Sequence, residues 1–411
     1  MIAFSTTPTV ALDSSGGRCM YAQVDQLRAM GPAVPVELPE GVGAWSVTRG
    51  DVVRMLLTHP GVSRDLKRTV PGYQPGSVAW LSPWVDIDHM ATADGKEHLR
   101  LRKLITPALS PRRVAALQPQ AEKVINHLID DIAALPAGEP VDLHSAFSYR
   151  VPTEIICDLF GVPDDQRDEL LRLFRAVGET DVATEEQSTD INTGLVGAMH
   201  ELIAARRRDP GDDLTSFLIA AREDGSALTE DELIATLLLM IGGGSGTTIN
   251  LIDHSIRELL ANPDQLRIVQ EDPGRWDDVI EESLRLNCPV MHLPMRWATE
   301  DIDLGEGVVI RAGDAILIAY GAHGRDPDVH ERPEVFDLNR ENKDHIAFSA
   351  GAHFCPGSRL AMLESRIALR TLFERFPRMQ LAVAPEAIEP EHTFIGNGVA
   401  CLPVLLNHES R

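Results

Sequence analysis

Apolar and polar positions follow two different periods along this chain. Near the start, Val34-Pro-Val-Glu-Leu and Ala44-Trp-Ser-Val alternate as half-buried strands do, around a turn at 39–43, which predicts a hairpin. From residue 96 the apolar positions return at helical spacing. Leu99, Leu104 and Ile105 form one set, Val124, Leu128 and Ile132 the next, then Ile155, Ile156 and Leu159. Stretches 51–59, 164–177 and 195–208 read as further helices. After Arg285 the pattern shortens to alternating runs at 308–310, 315–318 and 381–383, bounded by Gly, Pro and Asp, which predict strands. One helix, at about 355–376, interrupts them. The chain shows no internal repeat and no low-complexity tract. The expectation is a mainly α protein with a small β-rich lobe, one cooperative unit.

The stretch 229–260 carries the most unusual pattern. Thr229-Glu-Asp-Glu is a capping-box start and Ala261-Asn262-Pro263 a stop. Between them about 32 residues would make a helix of roughly 48 Å at 1.5 Å per residue. Its middle holds Gly242, Gly243, Gly244 and Gly246, each costing about 1 kcal/mol against alanine. One reading is a single helix whose backbone something large approaches. The other is two helices joined by a glycine loop, and periodicity does not separate them.

Composition narrows the partners. Among 411 residues, 38 basic against 62 acidic side chains leave a formal charge of −24, which argues against nucleic acid or an anionic membrane as partner. No stretch reaches the roughly 18 uncharged apolar residues of a membrane span, and the N-terminus lacks the layout of a signal peptide. Cys19, Cys157, Cys288, Cys355 and Cys401 are scattered and odd in number, with no CxxC pair. That fits free thiols in a reducing cytoplasm and no structural zinc site.

The segment 348–364, Phe-Ser-Ala-Gly-Ala-His-Phe-Cys-Pro-Gly-Ser-Arg-Leu-Ala-Met-Leu-Glu, sets Cys355 at the start of a helix behind a Gly-containing loop. Amides at a helix N-terminus stabilise a thiolate there. By themselves these residues leave open a structural cysteine, a haem ligand, or a nucleophile with His353 as its base. Ser245 with His353 is a further hydrolase reading. A P-loop is excluded because no lysine follows the glycines at 242–246, and G-x-S-x-G fails because residue 247 is threonine.

The cysteine segment resembles the ligand loop of the cytochrome P-450 family, F-G-x-G-x-H/R-x-C-x-G. Phe348, Gly351, His353, Cys355 and Gly357 fall in register, and Ser349 replaces the first glycine, a change expected to tighten the loop slightly. Glu282-Ser-Leu-Arg285 resembles the family's E-x-x-R, and Arg340 in Phe336-Asp-Leu-Asn-Arg its meander arginine. The resemblance makes Glu282, Arg285 and Arg340 a structural cluster that holds the cysteine loop. His98-Leu-Arg-Leu-Arg102 resembles the H-x-x-x-R whose cations clamp the haem propionates. Arg296 and His353 match the other propionate contacts. Gly243-Gly-Ser-Gly-Thr-Thr-Ile-Asn250 is similar to A-G-x-(D/E)-T-T-x-N, with Thr247 on the oxygen-handling threonine, Thr248 beside it as a further catalytic candidate, and Gly243 among the haem contacts. Gly246 stands where the family has an acid.

The resemblance covers about 34–405 and is greatest to the soluble bacterial class, actinobacterial enzymes of secondary metabolism. It implies the cytochrome P-450 fold in a single domain over 1–411. The β-rich parts would be at about 30–50, 290–320 and 379–407. It implies a monooxygenase with haem b, Cys355 as ligand to the iron, dioxygen, and a hydrophobic small-molecule substrate. Hydroxylation is the expected reaction, and oxidative ring coupling without oxygen insertion the alternative. Electrons would come from a ferredoxin and its ferredoxin reductase, since no flavin or nicotinamide fingerprint is present. That donor would dock on a local basic patch of Arg102, Lys103, Arg112, Arg113 and Arg359. The enzyme would be a cytoplasmic monomer. The implied pocket draws on 80–85, 174–195, 240–248, 290–295 and 394–399, with Trp84, Val290, His292 and Asn397 as substrate contacts. A haem carrier without turnover is the remaining haem reading.

Overall fold

A computed structural model describes residues 10–12, 20–136, 138–178, 185–222 and 225–407. Cys19 and part of the expected pocket stretch 174–195 lie outside the described residues. The N-terminal hairpin forms as expected: Val34–Leu38 pairs antiparallel with Val42–Val47, Val34 opposite Ser46 and Leu38 opposite Val42. Glu40 and Gly41 take φ values of 58° and 71° to close the turn. The hairpin lies in a six-stranded sheet ordered Val10–Ala11, Val34–Leu38, Val42–Val47, Ala315–Ile318, Arg296–Ala298, Val62–Ser63. A second sheet brings Gln380–Leu381, Pro403–Leu405 and Val141–Asp142 together. The strand expected at 381–383 is thus shorter and shifted by one residue.

The remainder is helical. Glu230–Ala261 is one continuous helix of 32 residues, so the glycine-loop alternative is excluded. Its start is the expected capping box: Thr229 Oγ accepts from the Glu232 amide at 3.2 Å, and the Thr229 amide donates to Glu232 Oε2 at 2.8 Å. By length and composition alone this helix is long and apolar enough to cross a membrane, which amends the sequence reading. Half of that stretch is buried here, against Arg150–Phe160, Glu185–Arg208, Trp276–Leu286 and Ser358–Arg375. The helix Glu185–Arg208 begins ten residues before the expected 195.

The central helix joins two helical cores. Leu233, Ile234, Leu237 and Ile241 belong to one, with Ile156, Phe160, Leu173 and Leu202. Leu251, Ile252, Ile256 and Leu259 belong to the other, with Ile125, Leu284 and Leu369. The glycines fall in the seam between them, where packing makes no demand for large side chains. They are not equivalent. A Cβ on Gly244 would lie 2.6 Å from Ile156 Cδ1 and one on Gly242 3.0 Å from Phe174 Cε1, so both serve close packing. A Cβ on Gly243 or Gly246 would meet nothing within 4 Å. These two face open space, and the helix keeps a narrow backbone along it.

Glu282, Arg285 and Arg340 form the expected buried cluster. Arg285 donates to Glu282 at 2.7 and 2.8 Å through Nη2 and Nε, and Arg340 Nε to Glu282 Oε1 at 3.1 Å. The remaining guanidinium donors go to the carbonyls of Gly324, Glu331, Arg332, Pro333 and Val335. The cluster therefore grips the 324–335 backbone rather than the cysteine loop itself, which follows some ten residues later. A Cβ on Gly324 would collide with the Arg285 carbonyl, which fixes glycine there.

Candidate active site

The helix after the cysteine spans Ser358–Arg375, starting three residues later than expected, so Cys355 lies just ahead of its N-terminus. The Cys355 amide donates to the Phe348 carbonyl at 2.9 Å and the Ser349 amide to Ile346 at 2.7 Å, which closes the loop on itself. Gly351 has φ +69° and packs on Leu57 and Thr58, so glycine is required there. Ser349 also has a positive φ, 64°. The substitution of the first motif glycine therefore stores backbone strain of roughly 1–2 kcal/mol rather than tightening the loop. Burial pushes the Cys355 thiol up, while the amides of Gly357 and Ser358 and the nearby Arg102 pull the other way. Gly357 leaves the sulfur uncrowded: a Cβ there would sit 3.8 Å from Sγ. Phe348 covers the loop, its ring 6.4 Å from that of Phe354.

Two histidines and two buried arginines lie beside the loop. Burial pushes His98 down to about 4 and lowers His353 despite its bond to Asp94, so the charge of the group rests on Arg296 and Arg64. The rings of His98 and His353 are 4.6 Å apart. Arg296 is buried, donates through Nη2 to Tyr320 Oη at 3.1 Å, and has its Nε enclosed without a partner among the described residues. His98 Nε2 is likewise buried and unpartnered among the described residues. Arg64, which no local motif singles out, adds a further buried guanidinium. It donates to the carbonyls of Ala91, Pro294 and Met295, and burial and the charge of Arg296 push it down to about 10. Burial would raise the Tyr320 phenol, but Arg296 and Arg64 outweigh it and hold it below its ordinary value. Asp94 is the acid that faces this group, bonded to His353 Nε2 at 3.2 Å. A buried excess of cations costs free energy unless an anion meets it.

Arg102 departs from the expected clamp. Its guanidinium donates to the carbonyls of Ala352 (3.0 Å) and Phe354 (2.7 Å), bracing the cysteine loop from outside. The (i, i+4) spacing does set it near His98, on which its charge acts, but these two donors go to the loop carbonyls. On the central helix, Thr247 is partly exposed and its Oγ donates to Gly243 O at 2.8 Å. Thr248 is buried, with its Oγ on Gly244 O at 3.1 Å, which suits packing better than chemistry.

The substrate contacts fare unevenly. Val290 is partly buried and pairs with Gly396. Trp84 packs beside the cluster of Trp80, Leu81 and Phe394. His292 is buried, with Nδ1–H on the Phe394 carbonyl at 2.7 Å, and desolvation pushes it down to about 4, so it is neutral. Asn397 is not free to anchor a ligand through its amide nitrogen. That Nδ2 donates to Tyr21 Oη and to Cys288 O, both at 3.0 Å, while His254 Nε2 meets its carbonyl at 2.7 Å. It staples the 394–397 segment to the N-terminal helix Met20–Met30 and to the central helix.

These residues fit a haem: a sulfur with amides turned toward it, buried donors of Arg296 and His98 left without partners, and cations in excess of acid. A soft thiolate ligand and an anion-seeking cluster side by side define a haem-thiolate protein. A family model for cytochrome P450 matches residues 276–401. The chain is 41% identical over 394 residues, 95% of its length and 96% of the relative's, to a 2-hydroxy-5-methyl-1-naphthoate 7-hydroxylase of Streptomyces carzinostaticus. The structure of CYP154A1 from Streptomyces coelicolor A3(2) superposes with a TM-score of 0.90 at 42% identity, covering 97% of this chain and 100% of that one. CxnD, described as forming a C–S bond in chuangxinmycin biosynthesis, superposes at 0.88 with 29% identity over the full length of both. The chain belongs to the cytochrome P450 family, and it is a haem b monooxygenase of the bacterial type.

Proposed function

We propose that Cys355 is the sulfur ligand to the haem iron and that the enzyme hydroxylates a hydrophobic small molecule in natural-product biosynthesis. The observation that carries this reading is the Cys355 sulfur set before an amide-lined helix N-terminus, beside two buried arginines, Arg64 and Arg296, that face one carboxylate, Asp94. Bound there, haem supplies dioxygen binding and O–O cleavage, which thiolate donation favours. Arg296, His98 and His353 would hold the propionates, and Arg64 would add its charge beside Arg296. Arg102, Phe348 and Gly357 shape the cysteine loop. Thr247 keeps its hydroxyl hydrogen on Gly243 O and offers Oγ lone pairs to a proton carrier. Gly243 and Gly246 keep the space next to it clear.

Gly246 has no side chain with which to deliver protons, so water or a polar group of the substrate does so in the open space beside it. The test is Gly246→Asp, with product formed per electron consumed as the readout. The naphthoate in the name of the Streptomyces carzinostaticus relative is the first substrate to try. The acid has room, yet the reading expects coupling to stay level or fall. A large rise would mean that the native site is impaired. The second reading, oxidative bond formation without oxygen insertion, gains from the likeness to CxnD, and product mass distinguishes the two.

The single domain of 411 residues works as a cytoplasmic monomer. It takes electrons from a ferredoxin, itself reduced by a ferredoxin reductase. Lys103, Arg112 and Arg359, with Arg113 lying 4.4 Å over Phe217, form the basic face for that acidic donor. Reduction rates then fall as salt rises. Rates indifferent to ionic strength or to charge reversal of Arg112 would contradict this docking.

A further inference from the structure

Asp94 occupies the N-cap position of the helix Gly95–Ile105, yet its side chain makes no capping bond. An aspartate there ordinarily accepts from an amide in the first turn of its own helix. Instead the carboxylate turns inward. Oδ2 accepts from Ser63 Oγ at 2.5 Å, the Arg64 amide at 2.8 Å and the Asp65 amide at 3.2 Å. Those three donors fix the carboxylate plane and leave Oδ1 for His353 Nε2 at 3.2 Å. Both side chains are largely enclosed, with 20% and 14% of their surface exposed. Burial alone would raise the Asp94 carboxyl, but the bonds from His353 and Ser63 hold it well below the usual range, so it is a pure acceptor. The contact joins residues 259 positions apart and ties the cysteine loop to the turn after Val62–Ser63 and to the helix that carries His98.

We propose that Asp94 is the positioning residue of the cysteine loop, holding the His353 ring in one orientation and thereby setting how tightly the haem is retained. This rests on the haem-site reading above. Three roles for Asp94 make different demands. As a positioner it acts through His353, so its removal has no further effect once His353 is gone. As a mere counter-charge, its removal would make the cation cluster more positive and strengthen retention of an anionic cofactor. As a piece of helix-end structure it would lower the melting temperature without touching haem release.

The experiment measures haem release from the ferric holoenzyme to an excess of haem-free globin, for wild type, Asp94→Asn, His353→Ala and the double variant. Loss of one charge-assisted hydrogen bond predicts release faster by on the order of tenfold in Asp94→Asn. The double variant is then expected to match His353→Ala alone. Ser63→Ala, which keeps the charge but loosens the carboxylate, gives a smaller rise that also vanishes without His353, and serves if Asp94→Asn does not fold. Additive effects, slower release, or unchanged release with a lower melting temperature would each overturn the proposal. The thiolate carbonyl spectrum of the wild type is recorded first. Its absence sinks the haem reading itself, whereas its presence with additive release rates sinks only the role of Asp94.

Discussion

Arg296 is the residue whose burden is plainest. It is buried with an unpartnered Nε beside a second buried arginine, Arg64, whose guanidinium it pushes down. Replacing it by leucine removes an uncompensated charge from the haem-free protein but also removes an anion ligand from the holoprotein. Arg296→Leu is therefore expected to stabilise the apoprotein by on the order of 1 kcal/mol while speeding haem loss. Chemical denaturation of the two forms measures both, and a change of the same sign in each would contradict the charge argument. Arg296, His98 and His353 were legible because each falls in a motif of local spacing. Arg64, Asp94 and Tyr320 were not, because what selects them is contact across the sheet and loops. Asn397 looked like a pocket residue on its own segment; its actual partners, Tyr21 and Cys288, are 376 and 109 positions away.

The central helix shows what periodicity does and does not carry. Its ends were legible in Thr229 and in Asn262-Pro263, since caps are local chemistry. Its continuity was not, because one helix and two have the same period. Which glycines serve packing was hidden too, since Ile156 and Phe174 arrive from other helices. The two kinds of glycine respond oppositely to alanine. Gly244→Ala forces a methyl against Ile156 and is expected to cost about 1–3 kcal/mol. Gly243→Ala meets nothing, so the haem-free helix gains about 1 kcal/mol while the open strip narrows. Thermal melts of the haem-free variants check the signs. Equal destabilisation by both would mean that the strip is packed.

Across the whole molecule, a chain of net charge −24 buries two arginines, Arg64 and Arg296, beside one site, and several of its histidines are buried neutral. Desolvation pushes His89 down to about 4, His254 to about 3 and His292 to about 4 from an ordinary value of 6.5. In the unfolded chain each takes up a proton near pH 6.5. The folded state binds fewer protons between 6.5 and about 4, so the stability these groups contribute is complete above pH 6.5. It drains away as pH falls toward 4, at up to about 1.4 kcal/mol per pH unit for each. His292→Asn is expected to flatten that fall by one histidine's share, measured by denaturation between pH 7 and pH 5. An unchanged slope would mean that His292 is not buried neutral. The acidic surface was readable from composition, whereas these neutral histidines became visible only with the fold.

The most direct test is the carbon monoxide spectrum of the purified, dithionite-reduced protein. With Cys355 as ligand, the wild type shows the strongly red-shifted Soret band of a thiolate-bound haem carbonyl. Cys355→Ser still takes up haem but loses that band and all turnover. A colourless wild type, or a Cys355→Ser variant with an unchanged band, would contradict the account.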